Sequence, residues 1–307
     1  MRNRALLLVN RQARQGEKSL PEAIRCLEES GFVLIQETTQ KPQDLGEIIL
    51  RYQQEVDLVI IGGGDGTLNA AVDALVETRL PLGILPLGTA NDLARTLRIP
   101  NSIPEACKVI AKGEIARIDL GVVNGKHFFN VASLGLSVQI TQKLTKKTKQ
   151  RWGIFAYAVT ALQVIWESRP FHAEIQINGQ SIRVKTVQIA VGNGRYYGGG
   201  MAVVHNAMID DQRLDLYSLE IRHWWQIIPI LPTMRQGRHI NWSGVRSLSG
   251  EEIEVYTRKP RPINTDGEIT TYTPAHFRVL PKSLAVLVPV EDSNGAGWSS
   301  NHLTSDQ

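Results

Sequence analysis

The chain has 307 residues, 42% of them hydrophobic and 21% charged, a balance that fits a globular protein with room for two cores and excludes a disordered or fibrous one. Its two cysteines, Cys26 and Cys107, exclude a disulfide framework, lack metal-ligand spacing and suit a reducing, cytoplasmic setting. A net charge of +4 and an isoelectric point near 9.1 favour anionic partners such as nucleotides or lipid headgroups, while no motif points to nucleic acid.

The chain opens on a basic lead and a short apolar run, Ala5 to Val9. The run is too short for a signal-peptide core and reads as a first buried strand. From there to about Ile118, aliphatic runs alternate with helical patterns: ALLLV, a helix over 20–30, FVLIQ, a helix over 45–54, VDLVII, a helix over 68–76, and LGILPLG. Short, continuously apolar strands separated by helices predict a doubly wound α/β domain with a parallel sheet covered on both faces. Nothing is long and apolar enough to span a bilayer, the longest candidate being Ile154 to Trp166.

Within that first half, the stretch VIIGGGDGTLN, Val59 to Asn69, runs from buried-type residues into four glycines around one acid. Without Cβ atoms, backbone N–H groups can converge on an anion, so the stretch reads as a phosphate cradle or as a tight strand-to-helix turn. A P-loop would place Lys before the Thr that here follows Gly66 directly, and a dinucleotide fingerprint would place glycine at Thr67. A second polar loop, LPLGTANDLAR, Leu85 to Arg95, also lies at the carboxyl end of an expected strand. Ligands of open α/β sheets bind outside those ends. Thr89, Asn91 and Asp92 are also natural helix caps.

After Asp119 the texture changes to short strands bounded by Gly, Asn and Pro, with hairpin chemistry at Asn178-Gly179. This predicts a second, mainly antiparallel β-sandwich domain. The expected division is 1–122, then 123–290, with the run Leu284 to Val290 either closing the second domain or returning to the first. A Ser-, Asn- and Gly-rich tail over 291–307 is expected to be disordered.

With GGGDGTLN followed by LPLGTANDLAR, the chain resembles the diacylglycerol kinase catalytic-domain family, specifically the bacterial YegS/BmrU-type lipid kinases. Their nucleotide domain is similar to those of NAD kinases and phosphofructokinases. Thr39 after FVLIQET, Asp119 in ARIDLG, VGNGRYYGGGM, NAMIDDQRLDL and NTDGE match in the same order. The resemblance implies transfer of the γ-phosphoryl of Mg²⁺-ATP to a hydroxyl of a lipid such as diacylglycerol or phosphatidylglycerol. It puts ATP contacts at Thr39, at Gly64, Asp65, Gly66, Thr67, Leu68, Asn69 and Ala70, and at Thr89, with Asn91 expected to help orient the nucleotide. Asp65 is expected near the Mg²⁺-bound phosphates, Glu268 as general base, and Asp266 as its neighbour and possible substitute. A second, structural Mg²⁺ would use the carbonyls of Met208 and Arg213 and the carboxylate of Asp211. The chain departs from the family at Gln212 and His205, where glycine and proline are usual, at Ala70 in place of Glu, and at Arg11 in place of Pro. The rival readings are an NAD kinase-like enzyme and a catalytically silent lipid- or nucleotide-binding protein.

Two further stretches bear on partners. Lys143, Lys146, Lys147, Lys149 and Arg151 form an acid-free cluster ahead of Trp152, Phe155 and Tyr157, read either as peripheral contact with an anionic membrane surface or as a solvated loop entering a core helix. Trp224 and Trp225 are expected to pack in the core, with an interfacial position as the alternative. Nothing in the sequence sets the oligomeric state.

Overall fold

The computed structural model describes residues 3–10, 16–39, 41–143, 166, 168–204, 207–221, 223–227 and 229–290. The basic cluster Lys146 to Arg151 with Trp152, Phe155 and Tyr157, the positions Arg11 and His205, and the tail from Glu291 lie outside the described residues, as does the side chain of Lys143. No helix among the described residues is long and apolar enough to cross a membrane. The chain divides into two units, Met1–Leu120 with Pro281–Gln307, and Gly121–Leu280.

Unit 1 alternates strands and helices: β1 (Arg4–Asn10), α1 (Gly16–Glu29), β2 (Val33–Thr39), α2 (Leu45–Tyr52), β3 (Leu58–Gly63), α3 (Asp65–Thr78), β4 (Leu82–Pro86), α4 (Asp92–Thr96) and α5 (Ile103–Lys112). The strands pair in the order β2-β1-β3-β4, all parallel. Every residue from Ala5 to Val9 and from Leu58 to Gly63 is buried, as expected of central strands covered on both faces. The sheet order reverses between β1 and β3, which sets the topological switch point at the ends of Asn10 and Gly63. Helix α3 buries Leu68, Ala71, Val72, Ala74 and Leu75, an apolar stripe at helical spacing. It stops at Arg79, whose left-handed backbone (φ 58°) lets its N–H reach the Leu75 carbonyl.

Two strands straddle the division. The first, β5 (Glu114–Val123), leaves unit 1, and the last, β18 (Ala275–Val288), re-enters it, where its final part runs parallel to β4. Within unit 1, the buried carboxylate of Asp119 accepts the N–H of Lys282 at 2.7 Å. The acid of the ARIDLG segment therefore fastens the returning strand.

Unit 2 contains β6 (Lys126–Phe128), β7 (Val131–Gly135), α6 (Leu136–Lys143), β8 (Phe171–Ile177), β9 (Gln180–Thr186), β10 (Gln188–Gly192), β11 (Tyr196–Tyr197), β12 (Met201–Ala202), β13 (Leu214–Leu219), α7 (Leu231–Met234), β14 (Val245–Gly250), β15 (Glu252–Thr257), β16 (Pro262–Thr265) and β17 (Glu268–Tyr272), with the start of β18. One antiparallel sheet runs β14-β13-β10-β7-β16-β17; a second is built on β18-β15-β8-β9. Alternation along β8 sends Phe171, Ala173, Ile175 and Ile177 into the core shared with Leu134, Ile189, Leu216 and Ile263 of the six-stranded sheet. That core is the sandwich filling. The opposite face of the six-stranded sheet carries Val131, Ala190, Tyr217 and Leu219 under a covering segment with Ile221, Ile227, Ile230 and Met234. Asn124-Gly125 and Asn178-Gly179 both make tight turns with two consecutive positive φ angles, the conformation for which Asn-Gly is suited.

The expectation for the tryptophans needs correcting. Trp225 is 55% exposed and stacks on His223, because the buried positions of this segment are taken by isoleucines and Met234. The side chain of Trp224 lies outside the described residues.

Candidate active site

The glycine loop joins β3 to α3 at the switch point of unit 1. Its glycines have different causes. A Cβ on Gly63 would stand 2.6 Å from Thr67, and one on Gly88 would stand 2.4 Å from the Cα of Gly64. Both distances are far inside van der Waals contact, so Gly63 is required for the turn and Gly64 and Gly88 for backbone contact between the two loops. The Leu87 N–H donates to the Gly63 carbonyl at 3.0 Å, which joins the loops further. Gly66 is different: a Cβ there would meet nothing within 4 Å among the described residues. Neither packing nor a positive φ accounts for that glycine, and a first-turn helix position favours other residues. The bare backbone at Gly66 leaves room for a ligand.

The N-terminus of α3 receives no side-chain cap; its N-cap is Gly64. Its first N–H groups and the helix dipole together form a positive end suited to phosphate oxygens. Asp65, at the first helical position, does not cap its own helix. Its Oδ1 accepts the N–H of Leu93 at 3.0 Å, in the first turn of α4. This fastens the second loop to the first and leaves Oδ2 as the oxygen a cation could use. Thr67 points inward, 5% exposed, its Oγ1 accepting from Asn10 Nδ2 at 3.1 Å across the switch point. Leu68 is core. Asn69 has a buried Oδ1 without a hydrogen-bond partner, an acceptor that a ligand's donor would satisfy, and Ala70 is half-buried.

In the second loop, Asn91 adopts a left-handed conformation (φ 50°). Its Oδ1 accepts from Gly88 N at 2.9 Å, and its Nδ2 donates towards the carbonyls of Pro86 and Gly88 and towards Asn101 Oδ1 at 3.3–3.4 Å. The side chain is thus committed to shaping the loop. Thr89 is exposed at the loop's tip. Thr39 ends β2 opposite Asn10 in register, and its side chain lies outside the described residues.

Unit 2 holds the second group. Asp266 and Gly267 form the turn between β16 and β17, both with positive φ (48° and 102°). The carboxylate of Asp266 is spent on three backbone donors: Phe129 N at 2.7 Å to Oδ2, and Asn130 N and Val131 N at 3.0 Å to Oδ1. The same 129–131 backbone is gripped by the VGNG segment, where Asn193 N and Gly194 N reach the Asn130 carbonyl and Asn193 Nδ2 reaches the Phe129 carbonyl at 2.9 Å. Asn264 Oδ1 accepts from Gly267 N at 2.8 Å. This network fixes the turn, and Glu268 follows it, exposed, as the first residue of edge strand β17. Of the two acids, Glu268 is the exposed one.

The third group lies in the loop before β13. Asp211 Oδ2 pairs with Arg213 Nε at 2.9 Å, while Oδ1 is buried without a partner. Burial pushes the Asp211 carboxyl up to about 6, against the pull of Arg213 and with a further push from Asp215. Gln212 between them is in a left-handed conformation (φ 62°), the geometry that favours glycine; the substitution keeps the turn at a cost in strain. A partnerless buried carboxylate oxygen fits a hard cation. Among the described residues, no three His, Cys, Asp or Glu side chains gather to hold a metal, so backbone carbonyls such as those of Met208 and Arg213, or phosphate oxygens, would complete any coordination shell.

Sequence reasoning missed Asn10, which ties β1 to Thr67, and gave no role to Asn193 and Asn264. Asn10 could have been found as the polar residue ending LLLVN at a strand's carboxyl end. The asparagines of unit 2 act through backbone atoms distant in sequence, a relation that local patterns do not carry.

Comparison with known proteins follows the same division. Residues 4–123 match the family model described as the diacylglycerol kinase catalytic domain, and residues 130–288 match that of the YegS C-terminal NAD kinase beta sandwich-like domain. A diacylglycerol kinase of Staphylococcus carnosus is 27% identical over 96% of this chain and 98% of its own length. One from Staphylococcus aureus is 28% identical over 99% and 98%. The crystal structure of a diacylglycerol kinase from Bacillus anthracis superposes with a TM-score of 0.79 at 26% identity, covering 93% of this chain and 96% of that one.

Proposed function

The chain belongs to the diacylglycerol kinase family, and on that premise we propose that it transfers the γ-phosphoryl group of Mg²⁺-ATP to the hydroxyl of a diacylglycerol-like lipid. The observation that carries the reading is the uncapped, glycine-opened N-terminus of α3 at the switch point, with unfilled space at Gly66 and one acid, Asp65, beside it. Backbone N–H groups of the first turn would hold the phosphates, and Thr39, Thr89 and the backbone from Gly64 to Ala70 would place the nucleotide. Asn91 acts indirectly, by shaping the loop that carries Thr89. Bound Mg²⁺ would supply charge neutralisation on the phosphate oxygens, with Asp65 as its protein carboxylate. Since phosphoryl transfer passes through a loose transition state, these residues serve mainly by positioning and electrostatics.

On the acceptor side, Glu268 takes the proton of the attacking hydroxyl. Asp266 is a positioning residue: with both oxygens engaged by backbone donors, it holds the turn that presents Glu268. A second Mg²⁺ at Asp211, completed by the carbonyls of Met208 and Arg213, would serve structure. The test is incubation with γ-labelled ATP and Mg²⁺, offering diacylglycerol, phosphatidylglycerol or NAD in turn. Label is expected in a lipid product; label in NAD alone, or in nothing, overturns the proposal.

A further inference from the structure

From Ile221 to Gly250 the sequence contains no acid, yet it carries Arg222, Arg235, Arg238 and Arg246 together with three tryptophans. In the structure residues of this stretch help cover the outer face of the six-stranded sheet. Ile221, Ile227, Ile230 and Met234 are driven into the apolar cluster there, and His239 packs edge-on against Tyr217 at 4.8 Å. Other side chains of the stretch stay in solvent. Those include His223, Trp225, Arg235, Arg238 and Trp242, all exposed, with Trp225 at 55% and Trp242 at 39%. Glu220, the acid on the N-terminal side, is neutralised by Arg246, which contacts it at 2.6 and 3.1 Å.

An indole held in solvent on a well-packed layer costs free energy unless something covers it. Here the two exposed indoles flank Arg235 and Arg238 in the sequence. We propose that this outer face is a docking surface for an anionic lipid bilayer, with Trp225 and Trp242 seated at headgroup level and Arg235 and Arg238 on the lipid phosphates. Tryptophan's apolar body and single N–H suit that boundary, and cations near an anionic leaflet are attracted strongly enough to add measurably, residue by residue, to binding. A protein partner would need a matching acidic face and a continuous apolar centre, whereas the absence of acid over the whole stretch fits a partner of one charge sign. The inference deepens the lipid-kinase reading by saying how the enzyme reaches a substrate that resides in a membrane.

The experiment measures cosedimentation of the full chain, without ATP, with phosphatidylcholine vesicles that contain or lack phosphatidylglycerol. Arg235→Gln with Arg238→Gln is expected to weaken binding to the phosphatidylglycerol vesicles by roughly tenfold or more. Trp225→Ser with Trp242→Ser should weaken it comparably, and Arg235→Lys with Arg238→Lys should retain it. All of these side chains are exposed, so folding should be unaffected, which circular dichroism checks. Phosphoryl transfer to a short-chain, water-dispersed diacylglycerol is expected to stay near the wild-type rate. Wild-type affinity in both loss variants, equal binding of the wild type to neutral vesicles, or loss of protein self-association in the tryptophan variant without loss of vesicle binding overturns the proposal. Vesicle binding that is intact and arginine-dependent, with no phosphoryl transfer to any lipid, would leave this surface standing while the kinase reading fell.

Discussion

The carboxylate of Asp65 accepts the backbone N–H of Leu93 at 3.0 Å, so the acid of the first loop caps the short helix of the second. Asp65 therefore carries two separable properties, an acceptor oxygen and a charge. Asp65→Asn keeps the acceptor and removes the charge. Its thermal stability is expected within about 1 kcal/mol of wild type, while turnover falls by roughly 10² or more as the phosphate-bound cation loses its carboxylate. Asp65→Ala should lose both, with an added cost of about 1 kcal/mol for the missing cap. Melting curves and phosphoryl-transfer rates for the two variants check this; a fully active Asn variant would reduce Asp65 to a cap.

The glycines of the two loops can be sorted in the same way. Gly88→Ala forces a Cβ to 2.4 Å from the Gly64 backbone and is expected to destabilise unit 1 markedly. Gly66→Ala meets nothing within 4 Å among the described residues, and alanine is the better helix former by roughly 0.5–1 kcal/mol, so this variant should melt no lower than wild type. If the space at Gly66 belongs to a phosphate, ATP affinity nonetheless drops. Calorimetric titration with ATP decides it: unchanged affinity would mean the glycine serves neither packing nor ligand.

The acids of the β16–β17 hairpin should also separate. Glu268→Gln is expected to leave stability alone and lower turnover by roughly 10² to 10⁴, the usual span for general-base catalysis. Asp266→Asn retains only one oxygen for three N–H donors and should cost on the order of 1–3 kcal/mol, with turnover reduced through misplacement of the hairpin. A stable but inactive Asp266→Asn, alongside an active Glu268→Gln, would transfer the base to Asp266.

The buried carboxylate of Asp211 makes a prediction about metal and pH together. Its carboxyl is raised to about 6 from an ordinary value of 3.8, chiefly by burial. The folded state therefore holds the proton more tightly than the unfolded one, and stability from this group declines as pH rises from about 4 towards 6 and above, by on the order of 3 kcal/mol. A divalent cation on the carboxylate would offset that loss. Mg²⁺ is expected to raise the melting temperature more at pH 7.5 than at pH 5, and Asp211→Asn should abolish the Mg²⁺ effect that is attributable to this loop. Equal Mg²⁺ shifts in the variant and the wild type, without nucleotide, would remove the metal from this position.

How far these relations could be read from the sequence depends on their range. The strands of unit 1 were legible because Ala5 to Val9 and Leu58 to Ile61 are uninterrupted apolar runs, and burial on both faces has no other simple pattern. The Asn178-Gly179 hairpin was legible from its turn residues. Asp266 beside Glu268 was visible as a pair, but the difference in their surroundings was not, since the donors that occupy Asp266 come from Phe129, Asn130 and Val131. Likewise, LGTANDLAR announces a polar loop, yet only the structure shows that Asn91 turns inward to hold Gly88. Trp225 was misread because an aromatic pair beside QIIPIL has the look of a core stripe, while the short helical turns of that segment bury its isoleucines instead. Local chemistry is written in local sequence, and partners chosen across a sheet are not.

The last prediction concerns His239, which is fully buried beneath the covering layer with neither ring nitrogen hydrogen-bonded. Burial lowers its pKa to about 4 from an ordinary 6.5. In the unfolded chain the ring takes up a proton as pH falls through about 6.5, whereas in the folded state it resists protonation until about 4. Below pH 6.5 the unfolded state thus binds more protons, and stability present at neutral pH is lost progressively on acidification. From the two values the loss by pH 5 is about 2 kcal/mol. His239→Phe preserves a ring to pack edge-on against Tyr217 and removes the titration. Urea unfolding at pH 7, 6 and 5 should show the wild type falling away from the variant by about that amount as the pH drops, with the variant at least as stable at pH 7, because an unsatisfied buried imidazole has been replaced by an apolar ring. Parallel pH dependences for the two proteins would mean that the imidazole finds a proton acceptor or water in the folded state, and that its burial without partners does not govern acid stability.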